Sequence, residues 1–385
     1  MTLTLMQLTA NKKKIWTASF FLIAGLVATP QVVLGQSLAP HLAPNRLAQN
    51  QISQQAPKDE ERLNELLDKG REQVEAGTIP EAIATYQEAA QLQPDNARIF
   101  SALGFLQARQ SNFQAAVEAY ERAVALESDN SDFYYALGFS KANLGDNAGA
   151  ADAYRRATEL NRGNTEAFVG LGVVLARQED YPGAIAAYRQ VLTSRPNDAR
   201  VHEFIGFAYL QEEDYSQALE SLQKAAQLDP RRASIQLNLG IARLNLGDVA
   251  GGMTAFEKAA QLEPRNGLVH LQLGDIFRAQ GNIDQAIAQY ERANSVQPDL
   301  EEAHAVIGEI SLEREDYIRA IVEYREVIKL SPQNAGAFYN LGQALEGRGR
   351  EQEAIAAYQS AYDLYQQQND SAGAQKAEEA IDDLD

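Results

Sequence analysis

Histidine is the side chain best suited to proton transfer and metal binding near neutral pH, and this chain holds four, His41, His202, His270 and His304. The last three fall at intervals of 68 and 34 residues. They therefore share one structural position, as packing residues do, and we expect them to be structural. His270 and His304 would sit on neighbouring helices with backbones about 8–10 Å apart. A shared metal ion would require both side chains to turn together. Cysteine is absent, which removes thiol catalysis. No phosphate-binding loop, HExxH pair, nucleophile elbow or EF-hand loop occurs. Gly170 and Gly172 spell a GxG, but it lies within a helical pattern with no strand before it. The expectation is a chain that is not an enzyme.

The same 34-residue interval runs through the chain. Nine blocks follow one another from Leu63 to Gln368, starting at Leu63, Ala97, Ser131, Thr165, Ala199, Ala233, Gly267, Glu301 and Ala335. The eighth position is glycine in every block, from Gly70 to Gly342, and the twentieth is alanine in all but one, where Gly252 stands. Glycine inside a helix costs roughly 1 kcal/mol relative to alanine, so a glycine at one position in every block needs a packing reason. Two helices crossing closely supply it. The twenty-fourth position is aromatic except at Leu222 and fills the gap that the small residues leave. Asp or Asn at position 16, as in Asp146, Asp180, Asp214, Asp248, Asn282 and Asp316, caps a second helix. Pro80 and Pro182 suit its first turn, and a proline near most block ends stops it. One such helix pair cannot bury its own apolar face, but a stack can.

This pattern resembles the tetratricopeptide repeat, and nine copies in one phase make the resemblance specific. It implies an all-α, right-handed superhelical solenoid of nine helix-turn-helix repeats. The first helices would line a concave groove, with positions 2, 5, 9, 12 and 13 facing it. Those positions carry an apolar path in repeats two to six, led by Phe105, Tyr135, Phe139, Val173, Phe207 and Ile241 and continued by Val169, Leu210, Leu237 and Leu244. In repeats seven to nine they carry Asp275, Glu302, Glu309, Glu313 and Glu346, with Arg278 the main compensation. The resemblance thus implies a protein or peptide partner in an apolar groove. The acidic end suggests a basic peptide or a hard cation, a weakly held Mn²⁺ being the one cofactor to consider. No block has lysine at position 5 or asparagine at 9, so the clamp that some relatives use for chaperone C-termini is not expected. Exported relatives with about nine repeats assist photosystem II assembly, touching the D1 precursor and supplying manganese. A membrane-protein precursor is therefore one partner that the resemblance implies, and a generic envelope adaptor or the recruiting subunit of an envelope enzyme is the alternative.

Net charge is −19, which argues against nucleic acid and for solubility or basic partners. Lys12–Lys14 precede an apolar region of 13 residues, Ile15 to Val27, and Val33-Leu34-Gly35 offers a cleavage site before Gln36. We expect a signal peptide over 1–35 and a periplasmic destination. The alternative is a retained N-terminal anchor facing the periplasm or lumen. Residues 36–62 read as a flexible linker, 63–368 as the nine repeats, and 369–385 as a capping helix, started by Asp370 or Ser371, that covers the last repeat.

Overall fold

The computed structural model describes residues 56–384, all of them in helices and turns. The signal peptide and most of the linker expected above lie outside the described residues. The chain divides into two compact units, the division falling between Pro196 and Asn197.

The first unit holds four helix pairs: α1 (Ala56–Ala76) with α2 (Ile79–Leu92), α3 (Ala97–Arg109) with α4 (Phe113–Leu126), α5 (Ser131–Leu144) with α6 (Asn147–Leu160), and α7 (Thr165–Arg177) with α8 (Tyr181–Ser194). The second holds five pairs and a last helix: α9 (Ala199–Gln211) with α10 (Tyr215–Leu228), α11 (Ala233–Asn245) with α12 (Val249–Leu262), α13 (Gly267–Ala279) with α14 (Ile283–Val296), α15 (Glu301–Glu313) with α16 (Tyr317–Leu330), α17 (Ala335–Gly347) with α18 (Glu351–Gln367), and α19 (Ser371–Asp382). From α3 to α17 every first helix begins at its block start. The exception is α1, which begins at Ala56, so the last seven residues assigned to the linker are helical. Pro57 in the first turn and the acids from Asp59 onward suit a helix N-terminus.

The crossing within each pair explains the invariant glycine. A methyl group added at Gly104 would stand 2.8 Å from the Tyr120 ring, one at Gly172 2.3 Å from Tyr188, and one at Gly274 2.4 Å from Tyr290. All eight alanines at position 20 are fully buried on the other side of the contact. The second helices are capped as expected by Asp146, Asp180, Asp214, Asp248 and Asp316, each accepting from the backbone N–H three residues on. Asn282 makes no such side-chain bond. Asp370 caps α19 by accepting from Gly373 N, and Ala380, Ile381 and Leu384 pack on the core of repeat nine.

Within each unit, first helices of neighbouring repeats touch, α3 on α5 and α5 on α7, α9 on α11 and α15 on α17. Second helices meet instead the first helix of the following repeat. Where first helices touch in this way they share an inner face, and the second helices form the outer one. The α12–α13 and α14–α15 seams are the thinnest in the second unit.

Candidate functional site

On the inner face of the first unit, Phe105 and Val173 are half-buried. Tyr135 and Phe139, each 7% exposed, are core residues. The Phe139 ring turns back onto Phe113 of the preceding repeat, edge to face at 6.3 Å, and Tyr135 leans on Tyr154 at 6.0 Å. In the second unit Phe207 and Leu244 are half-buried, whereas Ile241, Leu210 and Leu237 are buried. The continuous apolar path read from the sequence is thus largely repeat packing. The close spacing of first helices lets a large side chain at position 5 or 9 fill the seam to its neighbour. What remains partly open to a partner is Phe105, Val173 and Phe207 at position 9 and Leu244 at position 12, with Arg109, Asn143 and Arg177 exposed one turn along the first unit's helices.

The acids of repeats seven to nine are tied into the fold. Asp275 at position 9 accepts a hydrogen bond from Tyr290 Oη at 2.8 Å. Burial pushes its carboxyl up to about 6, although the tyrosine bond and Arg278 pull the other way. Arg278 Nη1 donates to Glu309 Oε2 at 2.9 Å, and its Nη2 lies 3.6 Å from Glu313 Oε1. Glu346 Oε2 accepts from Tyr358 Oη at 2.6 Å. Glu302 takes no part in these bonds. Among the described residues no three histidine or carboxylate groups converge into a metal-holding cluster. The gathering of carboxylates expected for a cation is replaced by Arg278, which stands between Glu309 and Glu313 with the charge that a cation would bring.

One acid was not singled out from the sequence. Glu203, at position 5 of repeat five, is buried and accepts from Arg232 Nη1 at 3.1 Å and Ser234 Oγ at 2.5 Å, so it fastens α9 to the start of α11. The signal was available: an acid at a groove position with arginine and serine 29 and 31 residues on.

His270 and His304 pack between helices. His304 Nδ1 lies 2.7 Å from Glu323 Oε2 and 3.1 Å from Asn294 Nδ2, and its Nε2 is 3.4 Å from the Pro298 carbonyl. The Glu323 hydrogen bond raises its pKa, with smaller contributions from the same charge and from the Pro298 carbonyl, against partial burial. His270, one repeat earlier, meets Gln289 through Nδ1 at 3.0 Å, and its buried Nε2 has no partner. An amide at the place of Glu323 thus leaves the earlier site without a charge.

Family models match most of this run of helix pairs. Models described as tetratricopeptide repeat match residues 135–199 and 335–368, and one described as TPR repeat matches 70–111, 108–145, 206–247, 274–313 and 308–349. The chain belongs to the tetratricopeptide repeat family. The tetratricopeptide architecture is shared by several solved structures. A MamA fragment from Desulfovibrio magneticus RS-1 is 25% identical, with a TM-score of 0.42, over 44% of this chain and 95% of that one. YrrB, described as a TPR protein with an unusual peptide-binding site, is 20% identical, with a TM-score of 0.44, over 48% and 95%. A tetratricopeptide protein from Parabacteroides merdae is 19% identical, with a TM-score of 0.49, over 63% and 96%. The comparison with curated sequences returns no match.

Proposed function

We propose that this chain is an exported, non-enzymatic scaffold that holds a segment of a partner protein against the inner faces of its repeats. Tetratricopeptide proteins bind protein or peptide partners, and interaction is the coarse function of the fold. The observation that supports an inner-face site is the partial exposure of Phe105, Val173 and Phe207 at position 9, where Phe139 and Ile241 are buried. Large apolar side chains left open along a helix face favour an extended or helical peptide. Export is supported by the basic and apolar run of Lys12 to Val27.

The test is in-cell cross-linking with mass spectrometry, on tagged chain beside a Phe105→Ser, Val173→Ser, Phe207→Ser variant that keeps the parent helical melt. Loss of one partner set supports the inner face, and an unchanged set refutes it. The narrower reading is photosystem II assembly, with the D1 precursor as partner and manganese as cargo. Its support is the combination of nine repeats, an export-type N-terminus and acidity. Mn²⁺ would have to displace Arg278 from Glu309 and Glu313. Calorimetry with MnCl₂ on the parent and on Arg278→Gln tests that arm, and absence of binding in both removes it.

A further inference from the structure

The outer face of repeat eight differs from every other. Along α16, Ile318, Val322, Arg325 and Lys329 follow one another at spacings of 4, 3 and 4 residues, which places them on one stripe of a helix. Ile318 is 60% and Val322 55% exposed, the two most exposed large aliphatic side chains among the described residues. In the other eight repeats the positions matching Ile318 and Val322 hold only Ala, Pro, Ser, Thr, Gln, Asp or Glu. Arg325 and Lys329 continue the stripe with their side chains more than half exposed. Their own partners, Glu353 at 3.7 Å and Glu326 at 2.8 Å, form solvent-facing pairs of the kind that contribute little and exchange readily.

The 4-3-4 spacing is that of a coiled-coil seam, about 16 Å long, apolar in one half and cationic in the other. The geometry points to a docking surface for a single helix of a partner protein, one that presents two aliphatic side chains followed by two carboxylates on its facing stripe. A second copy of the same seam does not fit. Set parallel, the cationic halves would oppose each other, and set antiparallel, each apolar half would meet cations. A broad anionic membrane does not fit either. The neighbouring α18 carries Glu351, Glu353 and Asp363 with no basic residue, and on the other side Asp284 and Glu291 already hold Arg314 and Arg319. A helix is narrow enough to lie between these rows. The surface is on second helices, so it stands or falls separately from the inner-face reading above.

The probe is a fluorescent, helix-favouring peptide of about three heptads, with leucines set to face Ile318 and Val322 and glutamates set to face Arg325 and Lys329. Anisotropy is read on the full chain at low salt. We expect Ile318→Gln with Val322→Gln to weaken binding at least tenfold. Arg325→Glu with Lys329→Glu should abolish it, and should restore binding of a peptide whose glutamates are replaced by lysine. All four side chains are exposed, so the helical melts should match the parent. Failure of the glutamate peptide to bind, or binding indifferent to either pair of changes, overturns the proposal. So does self-association, or sedimentation with phosphatidylglycerol vesicles, that depends on Ile318 and Val322 while the peptide does not.

Discussion

At the crossing of α13 and α14 a glycine, a tyrosine and an aspartate form one device. The absent side chain of Gly274 admits the Tyr290 ring, and the ring carries its hydroxyl to Asp275. Gly274→Ala should destabilise the chain by about 1–3 kcal/mol through overpacking, read as a lower urea midpoint. Asp275 binds its proton more tightly in the folded chain, at about 6, than its ordinary 3.8. Its contribution therefore favours folding at low pH and is withdrawn as pH climbs from about 4 to about 6. Tyr290→Phe removes a bond to the carboxylate, so the Asp275 carboxyl resonance should titrate at higher pH in that variant. An unchanged or lower midpoint would contradict this. His304 has the same sign for a different reason. Its pKa is raised by Glu323, so its stabilisation is complete below the ordinary histidine value of about 6.5 and is lost as pH rises through the raised one. Glu323→Gln makes the site resemble that of His270 and should bring the imidazole NMR midpoint down. The glycine register was legible in the sequence because nine copies repeat it. The Tyr290–Asp275 bond was not, since it occurs once and depends on which way a side chain turns.

Every turn between the two helices of a repeat is closed by one residue in left-handed backbone. Five are glycines, and the others are Ser111, Glu179, Glu213 and Glu315, with φ between 56° and 63°. An L side chain there costs about 1–2 kcal/mol. Glu315→Gly should therefore raise the thermal midpoint, and a drop would show that its side chain matters more than its backbone. Among the second helices, α12 carries both Gly251 and Gly252, and its seam to α13 is one of the two thinnest in its unit. Amide exchange should be fastest along Val249–Ala260. Protection equal to that of the matching residues of α10 and α16 would refute a soft spot there. The other thin seam, α14–α15, is bridged by His304 Nε2 to the Pro298 carbonyl, a bond that favours the charged imidazole, so rising pH should weaken that bridge. Helix starts and stops were readable from caps and prolines. The early start of α1 was missed because no block register reaches it, and the composition of residues 56–62 suits either a linker or a charged helix end.

A stack of repeats is stabilised by contacts between neighbours, so its units of loss and gain are whole blocks. Deleting residues 131–164 would bring repeat four onto repeat two with glycine, alanine and aromatic positions in phase. It should leave a cooperative melt with proportionally less helix, whereas removing half a block, 131–147, should abolish cooperativity in calorimetry. The all-α class, the helix pairs and the small-residue crossing followed from the sequence alone. Periodicity of 34 residues is a one-dimensional signal, and nearest-neighbour packing needs nothing more. Only the tertiary structure decided which face residues are open. Phe105, Phe139 and Phe207 share position 9, yet Phe139 is core because Phe113 of the preceding repeat meets its ring. Glu309 and Glu313, likewise, are both reached by Arg278 from the adjacent helix. Exposure and charge pairing are sums over neighbours from different repeats, and a pattern that repeats in sequence does not record what those neighbours are.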